Sequence, residues 1–189
     1  MPPISANEVE VKIAIADRAA VRQRIEAIGF SVAVPRDFEA NTLYDNAGRT
    51  LRQSEILLRL RQIGSKSVIT WKGPPEPGRH KNRLEIETTL GSIEKMDQIL
   101  RRLDYQPVFR YEKYRTEFAQ PDQPGSVITV DETPIGDFLE LEGPADWIDS
   151  TAQRLGFSQQ DYVLESYAHL YFAFCDARGV EPGNMVFAP

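Results

Sequence analysis

Charged side chains alternate with apolar ones along several segments of this sequence. The segment 8–12 reads Glu-Val-Glu-Val-Lys, and 83–87 reads Arg-Leu-Glu-Ile-Glu. Successive side chains of a strand point to opposite faces, so each such segment has one ionised face and one apolar face. Over all alternating segments, the ionised faces carry the basic residues Lys12, Arg59, Arg61, Lys72, Arg83, Lys113 and Arg115, and the acidic residues Glu8, Glu10, Glu85, Glu87, Glu117, Asp131, Glu140 and Glu142.

This mixture of cations and carboxylates suits a polyphosphate bound together with divalent metal ions. Arg and Lys bind phosphoryl oxygens, and Arg does so as a bidentate fork. Paired carboxylates supply the oxygen ligands that Mg²⁺ and Mn²⁺ prefer. The Gly-rich phosphate loop of nucleotide-binding α/β proteins is not apparent, because the Pro/Gly run 73–78 is not followed by Lys-Ser or Lys-Thr.

An alternative interpretation is that each charged face is simply exposed to solvent and the apolar faces form a sandwich core. Three features favour a closed tunnel with the charges inside. The polar faces consist almost wholly of ionised residues, opposite signs occupy neighbouring positions on one face, and helical segments are present that can cover the apolar faces.

The elements that would position these residues follow from a near-repeat at 8–30, 84–105 and 138–157. Each copy opens with Glu-x-Glu in a strand pattern and continues with helical spacing. Asp17 and Ser92 are candidate N-caps, and Gly29 and Gly156 are candidate helix stops. Further strands are predicted at 37–44, 56–63, 66–72, 109–118 and 127–132, and a last helix at 165–174, which makes roughly eight strands and four helices.

Composition limits the classes of protein that the chain can represent. Its 189 residues predict a single domain over 1–175 followed by a C-terminal tail at 176–189. The net charge of −6 argues against binding of nucleic acid, and a single cysteine, Cys175, excludes an internal disulfide and is predicted to be buried. No signal peptide or long apolar run is apparent, so we expect a cytoplasmic protein without membrane association.

Two histidines are present, and neither has the spacing of a zinc site. His80 lies in the basic segment Arg79–Arg83, which follows a Pro/Gly-rich stretch. We interpret this segment as a mobile loop at the mouth of the tunnel and His80 as a solvent-facing or mouth residue.

The segment Glu8-Val-Glu-Val-Lys12 resembles the ExExK signature of the CYTH superfamily, the triphosphate tunnel metalloenzymes. Leu58-Arg-Leu-Arg61, Thr70-Trp-Lys-Gly-Pro74 and Arg83-Leu-Glu-Ile-Glu87 follow in the order that the family shows, and the resemblance covers about residues 5–175. The segments 112–115 (EKYR), 130–143 (VDETPIGDFLELEG) and 166–171 (SYAHLY) make the chain most similar to the class IV adenylyl cyclase branch.

The resemblance implies an α+β fold, with an eight-stranded antiparallel closed β-tunnel and helices packed outside. It implies that Mg²⁺ or Mn²⁺ is bound by Glu8, Glu10 and Glu140, with Asp131 and Glu142 as further candidate ligands. It implies that the triphosphate is cradled by basic residues that also serve catalysis, namely Lys12, Arg59, Lys72, Lys113 and Arg115. Arg61 and Arg83 match in position as further triphosphate-binding residues, and homodimers are frequent in the cyclase branch.

Three functions are consistent with such a tunnel. The first is an adenylyl cyclase that converts ATP to cyclic AMP and pyrophosphate. The second is a triphosphatase that hydrolyses inorganic tripolyphosphate or thiamine triphosphate with the same cradle and carboxylates. The third is a polyphosphate- or nucleotide-binding module without turnover, which would need the cations but not the metal-type carboxylates.

Overall fold

A computed structural model describes residues 6–188, which form nine strands and five helices. The strands are β1 (Ala6–Ile15), β2 (Ser31–Asp45), β3 (Leu57–Ile63), β4 (Lys66–Lys72), β5 (Lys81–Leu90), β6 (Gln106–Ala119), β7 (Val127–Thr133), β8 (Gly136–Glu142) and β9 (Tyr162–Val163). The helices are α1 (Arg18–Ala27), α2 (Thr50–Gln53), α3 (Ile93–Arg102), α4 (Ala145–Arg154) and α5 (Tyr167–Asp176).

The first eight strands close into an antiparallel barrel. Their order around the barrel is β5-β4-β3-β2-β6-β7-β8-β1, and β1 also pairs with β5, which completes the ring. The two-residue strand β9 pairs with β1 beyond the end of β5. The predicted eight-stranded closed tunnel is therefore confirmed, with one short strand added at its edge.

Closure of the ring decides which face of each strand is inside. The charged residues of β1 and β8 lie opposite each other, with Lys12 beside Glu140 and Glu10 beside Glu142. Lys12 and Lys113 are only 4% and 2% exposed, so these charges do not lie on a solvated surface. The alternative of a sandwich with exposed charged faces is wrong, because the apolar faces point outward and pack against helices.

Helices α1 and α4 cover the largest part of the barrel's outer face. Ile25 of α1 and Ile148 of α4 are fully buried in one cluster with Val11, Phe118 and Leu139 from the strands beneath. Helix α3 packs over Leu60 of β3, and α5 packs over β6. The prediction of helices packed outside the tunnel is confirmed.

The predicted helix ends are also confirmed. Asp17 accepts a hydrogen bond from the backbone N–H of Ala20 at 2.9 Å, and Ser92 accepts one from Lys95 at 3.2 Å. Helix α1 is followed by Gly29, whose φ is +94°, a value that residues with a Cβ rarely adopt. The sequence pattern therefore locates these helices through the ordinary chemistry of helix ends.

Two elements differ from the sequence prediction. Strand β2 begins at Ser31 rather than at residue 37, and its first seven residues are exposed, so they show no alternation of polar and apolar side chains. Helix α2 has four residues and no hydrophobic period. It is held by the buried carboxylate of Asp45, which accepts the backbone N–H groups of Leu51 and Arg52 at 3.1 and 3.0 Å.

The C-terminal segment 177–188 returns along β6. The backbone of Met185 bonds to that of Arg110 and Glu112 at 2.9 Å each, and the Met185 side chain is fully buried. These contacts fill the part of the β6 edge that β7 does not reach. Between residues 6 and 188, no helix is long and apolar enough to cross a membrane.

Candidate active site in the tunnel

The barrel encloses a cavity of about 460 Å³ whose wall is dominated by ionisable side chains. All of the predicted site residues except Asp131 line it. Those brought together there are Glu8, Glu10, Lys12, Arg59, Arg61, Lys72, Arg83, Lys113, Arg115, Glu140 and Glu142. The charged faces predicted for six separate strands (β1, β3, β4, β5, β6 and β8) therefore converge on one cavity.

Asp131 lies behind the cavity wall and organises two of its cations. It is fully buried and accepts Lys113 Nζ at 2.8 Å, and both Nε and Nη2 of Arg115 at 2.7 Å each. The hydroxyl of Tyr167, from α5, donates to the same carboxylate at 2.7 Å. Four donors thus surround Asp131, an arrangement that favours a positioning role over the metal ligation considered from sequence.

Lys12 lies between two of the predicted metal ligands. Its Nζ is 3.1 Å from Glu140 and 3.6 Å from Glu10, and Arg115 also contacts Glu140. Burial by itself would lower the pKa of Lys12, but the charges of Glu10 and Glu140 outweigh it and raise that pKa. Lys12 therefore stays protonated and available to a phosphate.

A second group of charges occupies the wall formed by β1, β4 and β5. Lys72 contacts Glu8 directly and lies 3.0 Å from Glu85, while Arg83 Nε is 3.7 Å from Glu8. Glu10 pairs with Lys81 at 3.1 Å. Each predicted metal-binding carboxylate of β1 thus has a cation partner.

Two carboxyl groups on β1 and β8, Glu8 and Glu142, lie in surroundings that disfavour their negative charge. Burial raises the pKa of Glu8, and the neighbouring charge of Glu10 adds to this. The pKa of Glu142 is raised by loss of hydration and then by Glu8, although part of Glu142 is exposed at the rim, where water screens the effect. A divalent cation would relieve this repulsion, so the donor set fits Mg²⁺ or Mn²⁺.

The carboxylates are turned toward Lys and Arg partners in this arrangement. Within residues 6–188, no three Asp, Glu, His or Cys side chains converge closely enough to enclose an ion. Binding of a metal would therefore require Glu8 or Glu10 to rotate away from its Lys partner.

The opposite wall holds the two cations of β3. Arg59 donates to the Tyr111 hydroxyl at 3.3 Å and to Thr70 at 3.1 Å. Arg61 donates to Glu87 at 2.9 Å. These bonds fix both guanidinium groups, so they are oriented before any anion arrives.

Several residues that line the cavity or lie behind its wall are missing from the sequence prediction. Lys81 and Tyr111 lie two positions before Arg83 and Lys113 on the same strand faces, so extending the alternation backwards would have found them. Glu39 of β2 is buried between Lys113 and Arg61, at 3.6 and 3.7 Å. Tyr167 lies in the segment 166–171 that carries the resemblance, but strand alternation does not reveal it, because helix α5 and not a strand brings it to the tunnel.

The loop 73–80 before β5 is largely exposed, but its last residue, His80, is held against α4. His80 Nε2 lies 2.8 Å from Asp149 Oδ1, and only 9% of the His80 side chain is exposed. Asp149, on α4, also accepts Tyr162 at 2.9 Å and Gln159 at 3.0 Å. His80 therefore anchors the loop and is not solvent-facing, which was one of the two positions expected from sequence; it directly precedes Lys81, which lines the tunnel.

Comparison with known proteins gives a match to the CYTH domain family model over residues 6–163. A Methanocaldococcus jannaschii protein, provisionally named an adenylate cyclase, is 31% identical over 135 residues, which are 71% of this chain and 75% of that protein.

Solved structures with the same fold include a bacterial and a plant protein. A Vibrio parahaemolyticus protein, also provisionally named an adenylate cyclase, superposes with a TM-score of 0.74 at 23% identity, covering 86% of this chain and 96% of its own. A Hippeastrum protein, provisionally named an adenylyl cyclase and described as having a dominant triphosphatase activity, gives a TM-score of 0.61 at 16% identity, with coverage of 93% and 97%. At these identities the likeness establishes the fold alone.

Proposed function

The chain belongs to the CYTH domain family, and we propose that it is a divalent-metal-dependent enzyme that acts on a triphosphate held in the tunnel. The observation that carries this proposal is the convergence of eight basic side chains and a carboxylate cluster in one cavity of about 460 Å³ inside the barrel. Buried cations without an anionic ligand are costly, so the cavity is best matched by a highly charged anion.

The basic residues would bind the triphosphate and stabilise the negative charge on its phosphoryl oxygens. Arg59 and Arg61 face the cavity from one wall, and Lys113 and Arg115 are oriented by Asp131 on another. Because these groups are already fixed by hydrogen bonds, they can stabilise charge on the phosphoryl oxygens with little reorganisation.

The carboxylates of β1 and β8 would hold the metal. Glu8, Glu10 and Glu140 are the proposed ligands, with Glu142 beside them at the mouth. A bound Mg²⁺ or Mn²⁺ supplies Lewis-acid polarisation of a phosphoryl oxygen and lowers the pKa of a bound hydroxyl.

We propose cyclisation of ATP as the reaction, supported by the name of the Methanocaldococcus jannaschii relative. The ribose 3′-oxygen would attack the α-phosphorus, its proton would be lost to solvent or a carboxylate, and the bond to the bridging oxygen would break. The products are cyclic AMP and pyrophosphate, whose negative charge the tunnel cations would stabilise as it leaves.

Hydrolysis is the second candidate. The Hippeastrum protein shows that a structure with this fold can have a dominant triphosphatase activity. In that reaction, water instead of the 3′-hydroxyl would attack the terminal phosphorus, and the same cations would bind the substrate.

One assay separates these reactions. The purified protein is incubated with Mg²⁺ or Mn²⁺ and with ATP, tripolyphosphate or thiamine triphosphate, and cyclic AMP, pyrophosphate and phosphate are quantified separately. Cyclic AMP with an equal amount of pyrophosphate supports the cyclase. Rapid phosphate release from tripolyphosphate, without formation of cyclic AMP from ATP, would contradict the cyclase proposal and support the triphosphatase.

Two variants test the tunnel as the site. Lys113→Ala should lower kcat/KM by about 100-fold or more, the usual effect of losing one oriented group that stabilises the transition state, whereas Lys95→Ala on α3 should leave it unchanged. Glu10→Ala should abolish metal-dependent turnover. If neither the wild type nor Glu10→Ala turns over the substrate, and both proteins bind it equally well, the protein is a binding module.

A homodimer and a cytoplasmic location stay predictions.

A further inference from the structure

The segment 183–187, called the C-terminal strap from here on, pairs with the edge of β6 in a defined register. The backbone of Met185 makes two hydrogen bonds of 2.9 Å each to this strand. Beside them, Asn184 Oδ1 accepts the backbone N–H of Arg110 at 2.8 Å. Strand β7 pairs with residues 114–118 of β6, and the strap pairs with the stretch just before them. The strap therefore continues the wall of the barrel beyond the reach of β7.

One side chain of the strap points into the protein. Met185 is fully buried, whereas its neighbours Asn184 and Val186 are exposed. Met185 belongs to an apolar cluster that includes Tyr111 of β6 and Tyr167 of α5. Both tyrosines also line the tunnel, and their ring centres are 6.0 Å apart. Through Met185, the strap thus packs behind the aromatic part of the tunnel wall.

The two tyrosines orient tunnel cations. The Tyr111 hydroxyl accepts a hydrogen bond from Arg59 at 3.3 Å, and the Tyr167 hydroxyl donates to Asp131 at 2.7 Å. Asp131 in turn holds two further cations of β6. The ring of Tyr167 also lies 5.1 Å from Nζ of Lys12, within the range of a cation–π contact. A shift of either ring would therefore move charges that face the cavity.

Met185 itself does not line the cavity, and its apolar side chain offers nothing to a phosphate. An unbranched thioether adapts its shape to irregular space, which suits a position behind two inclined rings. Because protein interiors are closely packed, removal of this side chain leaves a void into which the rings can relax. Any effect of Met185 on the reaction must therefore pass through the tyrosines.

We propose that Met185 is a positioning residue for the reaction in the tunnel. It holds the rings of Tyr111 and Tyr167 at the tunnel wall. Through their hydroxyl groups, Arg59 and the cations around Asp131 keep their directions. The inference rests on the proposed function, and it adds that the strap, which lies beyond the residues matched by the CYTH family model, takes part in forming the site.

Steady-state kinetics with Mg²⁺ or Mn²⁺ tests this on whichever of ATP, tripolyphosphate and thiamine triphosphate the wild type turns over. Met185→Ala should lower kcat by about tenfold and raise KM by less than about threefold, because misaligned cations stabilise the transition state less well. Met185→Leu, which nearly conserves the volume, should stay within about twofold of the wild type. Val186→Ala is the matched control, because Val186 is the exposed next residue of the strap and should change neither constant.

Two further measurements distinguish positioning from general stabilisation. In protein labelled with fluorotyrosine, the fluorine resonances of Tyr111 and Tyr167, assigned with their Phe variants, should shift in Met185→Ala and not in Val186→Ala. In a Tyr167→Phe background, the loss of kcat caused by Met185→Ala should shrink, because one of the two hydroxyl groups through which Met185 acts is gone.

Rates are expressed per folded protein, measured by circular dichroism at the assay temperature. If Met185→Ala does not fold, Met185→Val replaces it with the same direction of effect. A folded variant that melts at a lower temperature but keeps the wild-type kcat would overturn the inference and leave the proposed function intact. Fully additive effects of Met185→Ala and Tyr167→Phe, or unshifted tyrosine resonances, would also overturn it. If the wild type turns over no triphosphate, the proposed function fails and this inference fails with it.

Discussion

Asp131 illustrates how a single buried residue can control several others in the tunnel. Its carboxylate holds Lys113, Arg115 and the Tyr167 hydroxyl in fixed directions, and Tyr167 in turn lies 5.1 Å from Lys12, ring centre to Nζ. One strand, β6, and one helix, α5, are therefore held directly by one side chain that does not itself line the cavity.

Replacing Asp131 by Asn should be strongly destabilising. Two buried cations would lose their shared counter-ion, a change that typically costs about 3–5 kcal/mol. Urea denaturation measures the loss. Glu132→Gln is the control, because Glu132 is the next residue of β7 but pairs with Arg18 and Arg36 near the surface, and such pairs contribute about 0–1 kcal/mol. Similar losses in both variants would contradict this account of Asp131.

Glu39 provides a pH-dependent test of the tunnel's internal charges. Burial alone would raise its pKa, but Lys113, Arg115 and Arg61 outweigh this and lower the pKa to about 2 from an ordinary 4.5. Because the folded state then binds its proton less readily than the unfolded state, the stabilisation is complete above about pH 4.5 and declines as the pH falls toward 2.

We therefore expect Glu39→Gln to be less stable than the wild type by on the order of 3 kcal/mol at pH 7, and the difference to shrink below about pH 4.5. Denaturant titrations between pH 7 and pH 3 measure it. Asp37→Asn, on the exposed end of the same strand, should show no such trend. A difference that stays constant over this range would mean that Glu39 does not interact with the cations as described.

Among the elements, the loop 73–80 depends on α4 for its position. It leads directly into Lys81 and Arg83, which line the tunnel, and its anchor is the contact of His80 with Asp149. A substitution in α4, on the outside of the barrel, should therefore alter the mobility of the loop at the mouth of the tunnel.

Asp149→Ala removes the acceptor for His80, Tyr162 and Gln159. With hydrogen bonds contributing roughly 1 kcal/mol each, we expect amide hydrogen exchange in residues 76–82 to become about 10- to 100-fold faster. Asp146→Asn, one turn earlier on α4 and exposed, serves as control. Unchanged exchange in this loop would show that other contacts hold it.

At the scale of the whole molecule, the tunnel combines a closed barrel with an interior of opposed charges. Ion pairs such as Lys12–Glu140 and Arg61–Glu87 offset the cost of burial in the ligand-free state. A triphosphate with a divalent metal would take over these partners, so ligand binding and folding stability should be coupled.

Tripolyphosphate with Mg²⁺ should accordingly raise the melting temperature. At about 100 times the dissociation constant, mass action contributes roughly 2.7 kcal/mol, which corresponds to about 5–10 °C for a chain of this size. Scanning calorimetry measures the shift. Sodium sulfate at equal ionic strength should not reproduce it, and Lys113→Ala should remove most of it. A shift of equal size in that variant would place the binding site outside the tunnel.

Much of the fold and of the candidate site is predictable from sequence because alternation is a local property of the chain. The inward positions of Lys12, Arg59, Lys72 and Lys113 follow from a two-residue period, and helix ends such as Ser92 follow from capping chemistry. Strand β2 is the exception. Its first half is exposed on both faces, so burial does not select alternating polar and apolar residues there.

The sequence by itself thus determined the closed charged barrel, its outer helices and the cations of its wall. Tertiary structure decided which charges meet, because the register between strands far apart in sequence places Glu39 beside Lys113 and Lys81 beside Glu10. It also decided the contribution of Tyr167, since the docking of a helix on a barrel depends on packing between distant segments and leaves no local period in the chain.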